Sequence, residues 1–271
     1  MPLIQDYNKL FEHTDDIKKV ILNGNIVWPA AKPASGPDYT EPFYSENTTN
    51  QTESVTFKRY ATFTSNNVDV YYSLDKGNSW NFCGNTSEDF TYRNPAHTKV
   101  WFKANIDTWD GIRILDCKKV GGNIMSLFYG EDFADKTVFP TSSWGYYCYE
   151  MFFNNTNLVD ASSLLLPVDR LGIPSDRGGE YANMFYACTS LTKAPALPAT
   201  TLGHSCYNSM FYNCHLLNSL TCLATSGIVG RNVGGLLDGV ASTGTFYCAQ
   251  GMTSTWQALT VIPEGWTIVE V

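Results

Sequence analysis

The sequence predicts a mainly β protein with short repeat helices or turns, in which an antiparallel β-sandwich precedes a short stacked array. Three observations predict it. One phrase is written three times: Cys-Tyr-Glu-Met-Phe-Phe-Asn-Asn from Cys148, Tyr-Ala-Asn-Met-Phe-Tyr-Ala-Cys from Tyr181, and Tyr-Asn-Ser-Met-Phe-Tyr-Asn-Cys from Tyr207. Its Met-Phe pairs fall at Met151, Met184 and Met210, spaced by 33 and then 26 residues. Self-similarity at this period marks a solenoid, because one unit cannot bury its apolar face alone and must stack on the next. Upstream of the phrases, segments of period-two patterning rich in β-branched and aromatic residues follow one another with no helical stretch between them.

Taken in order, residues 1–28 form a leader. Ile17–Leu22 and Ile26–Trp28 flank Asn23-Gly24-Asn25, the pattern of a hairpin with Asn-Gly at its turn. A lone hairpin is marginal in water. Ile17, Val20, Leu22, Ile26, Val27 and Trp28 are therefore expected to pack on something, as an attachment surface or as a flap on the neighbouring domain. Residues 29–54 carry Pro29, Pro33, Pro37 and Pro42 among small polar residues, which predicts a semi-extended linker. Residues 55–130 contain strands at Val55–Tyr60, Val68–Ser73, Lys99–Ala104, Ile112–Cys117 and Ile124–Phe128, expected as the sandwich. Residues 131–271 hold the array: an entry at 131–147, the three phrases, and a cap at 224–271 that ends in the apolar strand Ile262–Val269. End units of such arrays are atypical because they must cover an open apolar face.

Composition excludes several classes of function. Charged residues make up 16% of the chain, the net charge is −8, and no basic run appears, so nucleic acid is not an expected partner. No segment approaches the ~18 consecutive apolar residues of a membrane span. The start, Met1 to Tyr7, has neither a basic region nor an apolar core of the secretory kind, so synthesis in the cytoplasm without export is expected. Eight cysteines could pair, but without an export signal buried, reduced, structural thiols are the expectation. Cys188 and Cys214 take the place in their phrases that Asn155 takes in the first. That interchange predicts a ladder in which small polar side chains bond the turn backbone.

The catalytic inventory is thin. His204 lies near Cys206 and His215 follows Cys214, so a Cys–His nucleophile was weighed; the cysteines are better explained by packing within the phrases. Cys-x-x-Cys and His-Glu-x-x-His spacings are absent, and no metal or cofactor is expected. Asp160, Asp169, Asp176 and Glu180 could supply paired carboxylates for sugar hydrolysis. The insert Gly172–Glu180 breaks the repeat, and function concentrates on such loops. Asp169, Arg170, Asp176, Arg177 and Glu180 are therefore the candidate ligand-binding lip. Repeated aromatics such as Tyr149, Tyr186 and Tyr212 would serve as sugar-stacking platforms wherever they are exposed.

The string Tyr181–Leu202, with its Met-Phe, Cys and Ala-Pro-x-Leu-Pro-Ala-Thr-Thr-Leu elements, resembles the BspA-like leucine-rich repeats of Bacteroides-group bacteria and their phages. The segments Tyr72–Trp80, Gly122–Gly130, Gly239–Phe246 and Ile262–Thr267 resemble modules that accompany those repeats. The first phrase departs through Pro167–Leu171 and the insert after it, and the third has Cys222-Leu223-Ala224-Thr225 where the family has Leu-Pro-Ala-Thr. The leader resembles hairpins ending in Val-Trp that begin many phage virion proteins. The resemblance implies a non-enzymatic head or tail fibre or appendage. It would be a homotrimer, anchored to other virion proteins by its N-terminus and displaying a leucine-rich-repeat domain to host-surface glycan or protein. A bacterial cell-surface adhesin is the alternative, and a carbohydrate-active enzyme the second alternative.

Overall fold

In the computed structural model, residues 21–22, 25–26, 37–59, 67–106, 112–140, 147–167, 171 and 179–271 are described. Contacts divide the chain into two units, Met1–Asp38 and Tyr39–Val271. In the first, β1 (Ile21–Leu22) and β2 (Asn25–Ile26) pair antiparallel with Leu22 opposite Asn25. That register places Asn23-Gly24 between the partners, as the hairpin pattern requires. Ile17, Val20, Val27 and Trp28 of the expected attachment surface lie outside the described residues.

The second unit is mainly β, with several sheets and a few short helices. Nine strands make up its first part: β3 (Tyr44–Glu46), β4 (Glu53–Arg59), β5 (Asp69–Ser73), β6 (Asn81–Asn85), β7 (Phe90–Asn94), β8 (Lys99–Ala104), β9 (Ile112–Leu115), β10 (Lys119–Asn123) and β11 (Asp160–Leu165). They form a six-stranded sheet ordered β11-β10-β3-β8-β5-β6 and a three-stranded sheet ordered β7-β4-β9. Alternation decides the faces. In β8, Val100, Phe102 and Ala104 are buried while Lys99, Trp101 and Lys103 keep partial exposure. Phe102 meets Phe57 of β4 at 5.0 Å and Tyr92 of β7 at 5.8 Å, so the sheets face one another across these rings.

The expected linker is corrected by this sheet. Phe43 is fully buried, and β3 lies between β10 and β8, pairing Tyr44 with Trp101 and Glu46 with Lys99. Prolines 37 and 42 mark the entry to a central strand. Pro42 lies two residues before the strand, so its missing N–H leaves the ladder hydrogen bonds of Tyr44–Glu46 intact.

The boundary expected at residue 130 is not a break. After helix α1 (Ser126–Tyr129), β11 pairs parallel with β10, and the core runs on without interruption through Cys148, Met151 and Phe152. Each phrase donates backbone N–H groups to the next. Phe152 donates to the Met184 carbonyl (2.9 Å), Phe185 to Met210 (2.9 Å) and Phe211 to Leu236 (3.1 Å). The series begins earlier than the phrases, because Ile114 of β9 donates in the same way to Met151 (2.7 Å). It also ends later: Val233–Val240 is a fourth turn, with Leu236-Leu237 in place of Met-Phe. On the strand side, β12 (Ser219–Cys222), β13 (Gly244–Cys248) and β14 (Trp266–Glu270) pair parallel in that order. The expected cap therefore contributes a further turn and two strands, closed by helix α2 (Gly230–Val233), helix α3 (Thr253–Gln257) and the buried Trp256.

Registering like on like stacks like side chains. Phe152, Phe185 and Phe211 lie at 5.2 and 5.3 Å centroid spacing, within 10° of parallel, and all are fully buried. Offset stacks of this kind contribute about 0.5–1.5 kcal/mol per pair beyond their burial. The Asn/Cys interchange forms the expected ladder. Cys188 Sγ donates to the Phe152 carbonyl (3.0 Å) and Cys214 Sγ to Phe185 (3.1 Å), while Asn155 Nδ2 reaches the Ile114 carbonyl at 3.4 Å. Among the described residues no helix is long and apolar enough to cross a membrane.

Every turn also bends the backbone twice through left-handed φ, at Glu150 and Asn154, Asn183 and Ala187, Ser209 and Asn213, Gly235 and Gly239. Glycine and asparagine adopt this region at little cost, whereas alanine is strained there by about 1–2 kcal/mol. Ala187→Gly and Ala187→Asn are expected to stabilise the fold, the first by about 1 kcal/mol, read as a higher midpoint in urea unfolding. Phe185→Ala, in the middle of the buried stack, is expected to destabilise by about 3–5 kcal/mol in the same measurement. Tyr186→Ala, one residue along on the half-exposed row, should cost clearly less.

Candidate functional site

Of the expected ligand-binding lip, Asp169, Arg170, Asp176 and Arg177 lie outside the described residues. Glu180 is described, and it faces inward. It is 8% exposed, its carboxylate accepts the Gly179 N–H at 3.2 Å, and its charge acts on Cys148, Tyr181 and Cys206. Glu180 belongs to the packing of the core rather than to a solvent-facing lip. Asp160, weighed as a catalytic carboxylate, is held on the surface of β11 by Ser162 Oγ (2.7 Å), the Ser162 N–H (2.9 Å) and Lys193 Nζ (3.3 Å). Burial raises its pKa, but these bonds outweigh it and keep the carboxyl below its ordinary range.

The thiols of the two cysteine–histidine pairs are withdrawn from solvent. Cys206 and Cys214 are fully buried, and desolvation pushes the Cys206 thiol far up and that of Cys214 to about 12. His215 is exposed and its Nδ1 donates to the Gly239 carbonyl at 2.8 Å, joining the third turn to the fourth. Among the described residues no three or more His, Cys, Asp or Glu gather as metal ligands would.

Two surfaces carry aromatic side chains into solvent. The first is the outer row of the turns, Phe153, Tyr186 and Tyr212, at spacings of 5.0 and 4.8 Å and within 12° of parallel. Arg113 lies 4.8 Å over the Phe153 ring and is paired with Glu150, and Tyr149 accepts from Asn183 Nδ2 at 3.2 Å. In this row each ring covers the face of the next. Tyr186 and Tyr212 keep partial exposure, and Asn154, close to Phe153 in sequence, is exposed. Such a row offers hydrogen bonds along a rigid line; its ring faces are already occupied by its own neighbours.

The second surface was missed by sequence reasoning. It is the outer face of the six-stranded sheet, where Tyr71, Trp101 and Phe82 stand on paired strands and the β5–β6 turn brings in Trp80. Phe82 is 58% exposed, the one aromatic of the described residues so open to solvent. The turn that delivers Trp80 is strongly built. Asp75 accepts from Ser73 Oγ (2.6 Å), Ser79 Oγ (2.6 Å) and the Ser79 N–H (2.9 Å), while Ser73 Oγ accepts the Gly77 N–H (2.8 Å). Those bonds hold the Asp75 carboxyl down at about 2. Gly77, at φ +91°, lets the turn pass under the indole: a Cβ there would sit 3.1 Å from the Trp80 ring. The signal available in the sequence was the Lys99-x-Trp101-x-Lys103 alternation, whose polar-flanked tryptophan marks a strand face turned to water. Comparison with protein-family models, with curated proteins and with solved structures finds no match to the chain.

Burial of the thiols and of Tyr181 and Tyr207 gives a pH prediction. Their pKa values lie above the unfolded ones, so each group's contribution is fully present below its unfolded pKa, about 8.5 for cysteine and 10 for tyrosine. It is lost as pH rises toward the folded value. Urea unfolding is expected to show stability falling from pH 8 to pH 10.5 by about 1.4 kcal/mol per pH unit for each thiol ionised only in the unfolded chain. A flat profile across that range would contradict the buried-thiol packing.

Proposed function

We propose that the chain is a non-enzymatic structural protein of a phage virion, a head or tail fibre or appendage. Its N-terminal segment would hold it to other virion proteins, and a short leucine-rich-repeat solenoid would face the host surface. The observation that supports this reading most is the stack itself. Phrases resembling BspA-like repeats lie one on another in register, and their outer row is a rigid line of tyrosine and asparagine side chains suited to recognition. The division of the chain into the units Met1–Asp38 and Tyr39–Val271 supports an attachment segment distinct from the displayed unit. Burial of Cys206 and Cys214 weighs against the cysteine chemistry that an enzymatic reading would draw on. Homotrimerisation would supply the packing that a two-stranded hairpin lacks alone.

Purified phage particles are expected to contain the full chain by mass spectrometry, and deletion of residues 1–28 should remove it from particles while leaving Tyr39–Val271 folded. Recovery from the bacterial envelope, with none on particles, would instead favour the surface adhesin. Release of oligosaccharides from host polysaccharide by the purified chain would overturn the non-enzymatic assignment.

A further inference from the structure

We propose that the outer face of the six-stranded sheet is a binding platform for a linear, uncharged oligosaccharide. The platform is separate from the stacked turns and independent of whether the chain is a virion component. Its rings form one continuous strip. Phe82 packs edge-on to Tyr71 at 5.7 Å; Lys103 Nζ lies 5.4 Å from the Tyr71 ring and 4.8 Å from Trp80; Trp101 follows on β8; and Lys99 Nζ sits 3.8 Å over Tyr44 and 5.9 Å from Trp101. Its accessible rings cross β6, β5 and β8, while Tyr44 of β3 is buried beneath Lys99. At about 4.8 Å per strand that is roughly 10 Å, the length of about two pyranose units.

The charges decide the class of ligand. Each ammonium on this face has its own carboxylate: Lys99 with Glu41 (3.2 Å), Lys103 with Glu131, and Lys119 with Glu46 (2.8 Å). Glu41 also accepts the Trp101 indole N–H at 3.1 Å, which fixes that ring's orientation. The face is thus locally neutral while dense in fixed donors and acceptors. A nucleic-acid or anionic-polymer groove would need cations left for the ligand, and here they are paired. An apolar patch of several hundred Å² would mark a hydrophobic protein interface. In this strip only Phe82 is widely exposed, and the other rings are interleaved with ion pairs. Partly exposed aromatic surface set among neutralised hydrogen-bonding groups complements a sugar, which has an apolar C–H face and a rim of hydroxyls. Preorganisation is built in, since ion pairs, the Asp75 turn and Gly77 hold the rings before any ligand arrives.

The test screens the full chain on an array of neutral glucan, mannan, xylan and galactan oligosaccharides beside sulfated and uronic-acid glycans. Titration of the hits follows, with tryptophan fluorescence as the readout for Trp80 and Trp101. Binding to a neutral glycan is expected, with a fluorescence change. Phe82→Ala and Tyr71→Ala should each weaken it by about 10-fold while thermal unfolding shows the sheet intact. Gly77→Ala, which displaces Trp80, should weaken it as well. Absence of binding to every neutral glycan would overturn the proposal. So would preference for the charged glycans, or neutral-glycan binding lost in Tyr212→Ala but unchanged in Phe82→Ala and Tyr71→Ala. That last result would place recognition on the stacked turns and leave the proposed function standing.

Discussion

The structure of the second unit depends on one constraint: alternate backbone N–H groups of each turn must find their carbonyls on the turn that follows. Donors such as Met184 and Tyr186 close within their own turn, on Tyr181 and Asn183, but the donors between them point along the stack, and a buried donor without a partner costs about 1–3 kcal/mol. Here Ile114, Phe152, Phe185 and Phe211 each donate to the next turn at the same position, and Asn154, Ala187 and Asn213 do so a little further on. Once these bonds are made, equivalent residues lie about one strand spacing apart. Phenylalanine must stack on phenylalanine, and tyrosine on tyrosine. Left-handed φ at two places per turn is what aims the donors along the stack, so the strain at Ala187 or Ser209 is offset by bonds that no relaxed loop could form.

The same constraint explains why the sheet and the turns share one core. β9 is at once the edge of the three-stranded sheet and the first member of the donor series, because Ile114 pairs with Phe57 on one side and donates to Met151 on the other. Cys117 anchors Asn155 through its carbonyl at 3.3 Å, and β10 extends into β11. The apolar face of the first phrase, which would be open in an isolated array, is covered by the sheet. At the far end Trp256 and the strands β13 and β14 cover the last turn.

What was legible in the sequence follows from where side chains alone specify the turn. The Asn155, Cys188 and Cys214 ladder could be read because a hydrogen-bonding side chain recurs at a fixed place in a fixed phrase. The fourth turn could not: Gly235 and Gly239 give it the required backbone freedom, and Leu236-Leu237 fill the core where Met-Phe stood, so nothing in its letters repeats. The turn at Ile112–Cys117 hid for the opposite reason, since its alternation is that of an ordinary strand. β3 was read as linker because proline density is a local signal, while burial of Phe43 is decided by the sheet that closes around it. The candidate lip rested on charge in an insert, and charge in sequence does not reveal that Glu180 turns inward.

Stacking also settles where aromatic surface remains usable. In the row Phe153, Tyr186 and Tyr212 the register that stabilises the turns consumes the ring faces, leaving edges and hydroxyls. On the six-stranded sheet neighbouring strands carry different residues, and the rings alternate with lysines rather than covering one another. Phe82 meets Tyr71 at 73°, and Trp101 is held by its indole N–H on Glu41. Repetition thus builds rigidity at the expense of π surface, and the unrepeated part of the chain keeps it. In a molecule assembled in this way polar edges line the turns, and ring faces stay uncovered on the sheet.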